Sequence, residues 1–367
     1  MSLTGGSVDT EVRMKKSVER SLFDMGSQLE KFYNAALFYE VDLENKQLHS
    51  QKIFEKVFEY HELLSYDDSQ NDLRSRHLAT LSKYMKEVSF SLKTSRSYLS
   101  KEFFECLNSL CWSPTLLFPD LEPQIYFHSL ENISEIEGKI LMGWGILDTL
   151  TYSDTAKKLI LLSRHMERIR YVSYLLYSTL LDDGELQYTW KALLDLLSSA
   201  DLYVKKYSLP ADIKHIAELL VFDRNFPGSI DFSLRLAKAY FDSIADEEYV
   251  NEGDKVYHVD QIFADGLALL ALYRAIFFEK KAFSTEDLRS VALGIYKSSL
   301  EIIIYITHEI FRSSTQTMML TDRERTARKA FSGSYPTSPA ALHRYRMDEK
   351  EQSDILIKTF TPRIWPR

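Results

Sequence analysis

Two short stretches of this chain set a carboxylate beside a cation inside an otherwise apolar helical segment. They are Leu22-Phe-Asp-Met-Gly-Ser-Gln-Leu29-Glu30-Lys31 and Leu159-Ile-Leu-Leu-Ser-Arg164-His-Met166-Glu167-Arg168, about 137 positions apart and alike in layout. Arg164 and Arg170 lie three residues to either side of Glu167, so one helix face carries the acid and both bases. Two kinds of chemistry fit. An ion pair of this sort fixes how two helices pack, and that is the simpler reading. The functional reading is a polar site between repeats, in which Glu30 and Glu167 converge with Lys31, Arg164 and Arg168 beside them.

A second pair of stretches follows in the same order. Asn71-Asp-Leu-Arg-Ser75 and Asn225-Phe-Pro-Gly-Ser229 share an Asn-x-x-x-Ser frame, about 154 positions apart. In the second, Asp223, Asn225 and Ser229 are turn formers, Pro227 bars a continuous helix, and Ser229 stands where it would cap a helix over 230–246. Motif helix followed by turn, twice over, is the mark of an internal duplication. It predicts that Arg164 or Arg168 reaches a polar group of the 223–229 turn, and that Lys31 does the equivalent less well in the first half.

Other chemistry finds less material. A di-metal site in a helical bundle needs Glu-x-x-His on its helices, and the chain has none. His165 precedes Glu167 by two, which turns it to another face; His128, His215, His258 and His308 have no partner at ligand spacing. No Gly-x-Ser-x-Gly elbow and no Gly-rich phosphate loop occurs. Cys106 sits among Phe103, Phe104 and Leu107, a setting for a small apolar group, and five positions separate it from Cys111. The expectation is no metal, no cofactor, and two free thiols in a reducing cytosol.

The elements that must position these residues are helices. Only 12 glycines and 9 prolines punctuate 367 residues, which favours long helices over an all-β or doubly wound design. Helices are predicted over 16–45, 51–65, 74–111, 124–150 with a break at Gly143-Trp144-Gly145, 155–182, 186–206, 211–222, 230–246, 258–281 and 285–313. Ser284 and Asp287 form a capping-box start for the last. The organisation is an all-α helical bundle of two pseudo-repeats of about 140 residues: an arm over 1–15, repeats over 16–150 and 151–313, and a mildly basic extension over 314–367. A net charge of −8 disfavours nucleic acid as a partner. The first ten residues hold no apolar signal core. Leu267–Tyr273 and Leu300–Phe311 are too short to span a bilayer and read as buried helices of a cytoplasmic protein.

Several of these stretches resemble one family. Gly145-Ile-Leu-Asp-Thr-Leu-Thr151 with Leu161-Leu-Ser-Arg164-His-Met-Glu167-Arg168 resembles a signature of the alpha-E family, a bacterial all-helical domain named for its Glu-Arg motif. Trp190-Lys-Ala-Leu-Leu194 and the run from Leu219 through Asp223, Asn225 and Pro227 to Ile230 resemble its next two blocks. Gly26 to Lys31 and Ser100 to Asn108 resemble its earlier ones, with Ser27 and Lys31 where the family has arginine and no proline in the first turn. The resemblance implies a component found with ATP-grasp ligases and transglutaminase-like proteins, near amide-bond formation or peptide modification. It implies a non-catalytic protein that binds a partner protein or peptide. The alternative is an enzyme or small-ligand binder with a buried polar Glu/Arg site between the repeats.

Overall fold

The computed structural model describes residues 5–44, 56–57, 60–61, 73–111, 126–149, 155–180, 186–208, 211–248, 253–279 and 284–311. Most of the predicted 51–65 helix and the 314–367 extension lie outside them; of the expected turn at Asn71–Ser75, the first two residues lie outside and Leu73 to Ser75 open a helix. Among the described residues the chain forms eleven α-helices and no strand. They are α1 Gly5–Glu44, α2 Leu73–Thr94, α3 Lys101–Cys111, α4 Tyr126–Thr149, α5 Thr155–Thr179, α6 Leu186–Leu196, α7 Ala200–Tyr207, α8 Ile213–Ala217, α9 Ile230–Glu248, α10 Gly253–Glu279 and α11 Thr285–Tyr305. Helix α1 begins at Gly5 rather than at 16.

Two helices organise the rest. Helices α1 and α5 pack against each other along their length; α1 also meets α2 and α4, and α5 meets α9 and α11. Each quartet then closes on itself, through α2–α3 and α3–α4 on one side and α9–α10 and α10–α11 on the other. Along α5, Leu159, Leu162, Met166, Ile169, Ser173 and Leu176 recur at helical spacing and are all buried, and so are most of the helix's other faces. That suits a helix enclosed by neighbours on every side.

The α1–α5 approach is close because of Gly26. A Cβ there would overlap the Ile160 carbonyl and the Ser163 hydroxyl, so only glycine lets the backbones meet. Gly26 and Ser163 hold matching places in the two Glu-cation stretches.

Four predicted helices differ in detail. The 74–111 helix divides around a 3₁₀ turn at Arg96–Tyr98. The 186–206 helix divides at Ser198, whose φ of 49° is left-handed. There Ser199 N donates to the Leu194 carbonyl (2.8 Å) and Ser198 N to that of Asp195 (3.0 Å), a Schellman ending in which serine takes the usual glycine place. The expected break at Gly143-Trp144-Gly145 does not occur: α4 runs through it. Trp144 is buried and Gly143 lies on Leu107, and this packing outweighs the cost of about 1 kcal/mol per helical glycine. The 211–222 helix ends in a π turn, Glu218–Phe222. The Ser284–Asp287 capping box forms as expected.

Helix α10 is longer and less buried than the sequence suggests. An 18-residue stretch within Val256–Glu279 is apolar enough, at mean hydropathy 1.5, to cross a membrane by length and composition, yet only 39% of that stretch is buried. Composition misled in part because four of the exposed positions, Ala264, Ala268, Ala271 and Ala275, are alanines, which count as apolar without needing a partner.

Candidate functional site

Helix α1 supplies Glu30 and α5 supplies Glu167, each with 1% of its side chain exposed. Glu30 is gripped across the helix pair: Arg168 Nε donates to it at 2.7 Å and Arg164 Nε at 3.3 Å. Arg164 also lies over the Trp144 ring, 4.1 Å from its centroid. Arg168 Nη1 reaches the Pro227 carbonyl at 3.2 Å, so the motif helix and the turn are tied as the sequence predicts. The part expected of Lys31 concerns the first turn and lies outside the described residues.

Glu167 accepts from Arg170 Nη2 (3.0 Å), from the Ser27 hydroxyl (3.0 Å) and from Tyr60 Oη. Arg170 Nε in turn donates to Tyr60 Oη at 2.9 Å. Of the two arginines flanking Glu167, then, Arg170 pairs with it and Arg164 is committed to Glu30. Ser27 holds the place in α1 that Arg164 holds in α5. Each helix therefore serves the other's carboxylate from the same position.

The electrostatics follow from burial set against charge. Burial pushes the Glu167 carboxyl up, but Arg170, Lys31, Tyr60 and Ser27 outweigh it and hold it below the usual range. Burial, and then Arg168, pull the Arg164 guanidinium down despite Glu30. His165 is held neutral, well below its ordinary value, by burial and by Arg168 and Arg164. Its ring stacks on Tyr240, and its Nδ1 is buried without a partner.

The turn is built around Ser229. Its hydroxyl accepts from Phe232 N (3.1 Å), capping α9, and donates to the Asp223 carbonyl. The Asp223 carboxylate takes Lys206 Nζ (2.8 Å) and the Asn225 amide (2.8 Å). Asn225 contributes only that backbone group; its side chain is exposed. Asp231 is a third buried carboxylate that the motifs did not reveal. Arg235 (2.6 Å), Arg274 (3.1 Å) and Arg224 (3.2 Å) surround it, and Arg274 also donates to the Phe222 carbonyl at 2.8 Å. Arg235 follows Asp231 by four on the same helix, a spacing the sequence shows, but Arg224 and Arg274 come from the turn and from α10, so their part is not local.

Beside Glu30 and Arg168 opens a cleft of about 160 Å³, also lined by Asn34, Tyr171, Ser198 and Phe226. Asn34 is 6% exposed and Tyr171 1%, yet Asn34 Nδ2 and the Tyr171 hydroxyl have no hydrogen-bond partner. Tyr33 bonds Ser198 at the same edge, and burial raises its hydroxyl's pKa. Of these only Phe226 belongs to a motif, the 223–229 turn; Tyr33, Asn34, Tyr171 and Ser198 join it only when α1, α5, the end of α6 and the turn are assembled. Among the described residues no group of three His, Cys, Asp or Glu side chains is placed to hold a metal. Cys106 is buried, its thiol raised by burial despite Lys139, and it donates to the Lys139 carbonyl.

The architecture defines an all-helical protein with a buried Glu-Arg crossing between its two central helices. The chain belongs to the Alpha-E family, described as a predicted alpha-helical domain with a conserved ER motif, which matches residues 73–265. The one Glu-Arg dipeptide within that span is Glu167-Arg168; Glu30 and Lys31 precede it. No curated protein and no solved structure matches the chain.

Proposed function

We propose that this is a non-catalytic helical protein that binds a partner protein or peptide in an amide-forming or peptide-modifying pathway, alongside ATP-grasp or transglutaminase-like proteins. The observation that carries the reading is the cleft. Its charges are already spent on one another, because Glu30 holds both Arg168 and Arg164. Its spare hydrogen-bonding capacity is neutral and buried, on Asn34 Nδ2 and the Tyr171 hydroxyl. An unsatisfied buried polar group costs about 1–3 kcal/mol, so a ligand that satisfies both is favoured. A peptide amide offers that match: its carbonyl accepts from Asn34 and its N–H donates to Tyr171. At about 160 Å³ the space suits one side chain or a chain end rather than a folded domain.

The finer reading of the fold is duplication. Matching positions of α1 and α5 serve one another's carboxylates, and both quartets close in the same order, which supports two pseudo-repeats around the α1–α5 pair.

The alternative, an enzyme or small-ligand binder at the Glu/Arg site, draws on the same cleft but needs the Glu30 oxygens open to a ligand, and two guanidinium groups occupy them. Saturation-transfer NMR with N-acetyl dipeptide amides against the full chain tests the choice. Binding that weakens at least tenfold, about 1.4 kcal/mol, in Asn34→Leu supports the proposal. Binding of no blocked peptide, or equal binding by the variant, defeats it.

A further inference from the structure

The outer face of α10 is laid out as a helix-pairing seam. Tyr257, Gln261, Ala264, Ala268, Ala271, Ala275 and Phe278 are all exposed, at alternating spacings of four and three. That alternation is the heptad pattern of a coiled-coil seam, here turned away from the protein's own core. The two aromatic ends are 69% and 60% exposed. An 18-residue stretch of the helix is as apolar as a membrane span but only 39% buried, although a helix apolar on all sides is normally covered on all sides.

We propose that the seam is a homodimer interface, in which α10 pairs antiparallel with α10 of a second copy about a two-fold axis near Ala268. Three observations select a second copy. The seam reads almost alike in either direction, four alanines between aromatic ends, so reversal puts alanine against alanine in the middle. Alanine lets two helix backbones approach closely there, and each aromatic end then reaches past the partner's last alanine.

The flanking polar groups are also self-complementary only in reverse. On one flank Asp260 lies toward the start of the helix and Arg274 toward its end; on the other, His258 lies toward the start and Glu279 toward the end. Antiparallel pairing sets Asp260 opposite Arg274 and His258 opposite Glu279, twice each by symmetry. Finally, these groups are held in place beforehand. Lys238 bonds Asp260 at 2.6 Å, Asp231 and the Phe222 carbonyl hold Arg274, and the His258 ring lies 4.4 Å from that of Tyr305.

Sedimentation velocity of the full chain over a concentration series is the first measurement, with a reversible monomer–dimer equilibrium expected. Ala268→Glu, at an exposed position, should weaken dimerisation at least tenfold while leaving the circular-dichroism melting curve unchanged. Ala268→Cys should give a disulfide-linked dimer under mild oxidation that the parent chain, with Cys106 and Cys111 alone, does not form. His258→Glu should weaken the dimer by setting like charges opposite each other, and adding Glu279→Lys should restore it. A chain that stays monomeric at every concentration, or a dimer indifferent to Ala268→Glu, overturns the proposal. Failure of the charge swap to restore the dimer overturns the antiparallel arrangement. Flotation with phosphatidylcholine vesicles that Ala268→Glu abolishes would overturn it in favour of a lipid surface.

Discussion

Glu30 and Glu167 occupy matching places in two matching helices and are equally buried, yet they are held by different means. Among the described residues Glu30 is held from the opposite helix, by two arginines. Glu167 has a serine from the opposite helix, an arginine from its own, and Tyr60 from a third segment. The difference traces to one residue. Where α5 offers Arg164, α1 offers Ser27, which donates a hydrogen bond but carries no charge. Arg170 and Tyr60 then make up the deficit. The lesson is that a buried carboxylate fixes a requirement for compensation, not its source. The side with the cross-helix arginines is also the side with the cleft.

The largest effects should come from removing either acid. Glu30→Ala leaves two largely buried guanidinium groups without a carboxylate, at a cost of roughly 3–5 kcal/mol, the range for breaking a buried ion pair. Glu167→Ala strands only Arg170, which keeps Tyr60 Oη, and should fall at the lower end of that range. Urea denaturation of both variants checks the order. A larger loss for Glu167→Ala would break the comparison.

Acidification probes the same contrast through protons. The Glu167 carboxyl is held below its unfolded value of about 4.3, so its contribution is present above that pH and is lost as pH falls through the lower folded value. Glu167→Gln should remove this acid limb. His165 adds a second limb at higher pH. Its folded pKa lies well below an unfolded value of about 6.5, so its neutral form stabilises the fold above that pH and protonation favours the unfolded chain below it. Stability measured from pH 7 downwards should therefore fall first on the His165 limb, which His165→Leu flattens, and later on the Glu167 limb. A single limb unaffected by either substitution would count against both assignments.

What the sequence revealed and what it hid divide along the same line. The Glu-cation stretches, the turn and its tie to Arg168 were legible because each signal is local: a helix face, a proline, a cap. The all-helical class was legible from sparse glycine and proline. Tyr60, Trp144 and Arg274 were not, since each reaches the polar groups from a segment with no motif of its own. Trp144 was obscured further, because its glycine neighbours read as a helix break until packing on Leu107 and Arg164 is taken into account. Asn34, Tyr171 and Ser198 become a cleft only when α1, α5 and the end of α6 are assembled. In α10 the apolar composition was visible from the start, but which face would be left uncovered was a tertiary matter.

The finest test makes the second half imitate the first. Arg168→Lys installs at position 168 the residue that the first half carries as Lys31. A lysine keeps the charge toward Glu30, but its single ammonium cannot also span to the Pro227 carbonyl as the arginine fork does. The ion pair should therefore survive while the link to the turn is lost, a cost of about 1.5 kcal/mol for a hydrogen bond from a charged donor. The loss has a local signature too. The Ser229 amide, bonded to the Phe226 carbonyl at 2.9 Å, should exchange its hydrogen faster once the turn is untied. The reciprocal Lys31→Arg should do less, because Arg170, Tyr60 and Ser27 already occupy the Glu167 oxygens. If Arg168→Lys changes neither stability nor exchange at Ser229, the contact with Pro227 is idle. The Glu-Arg crossing would then act on helix packing alone.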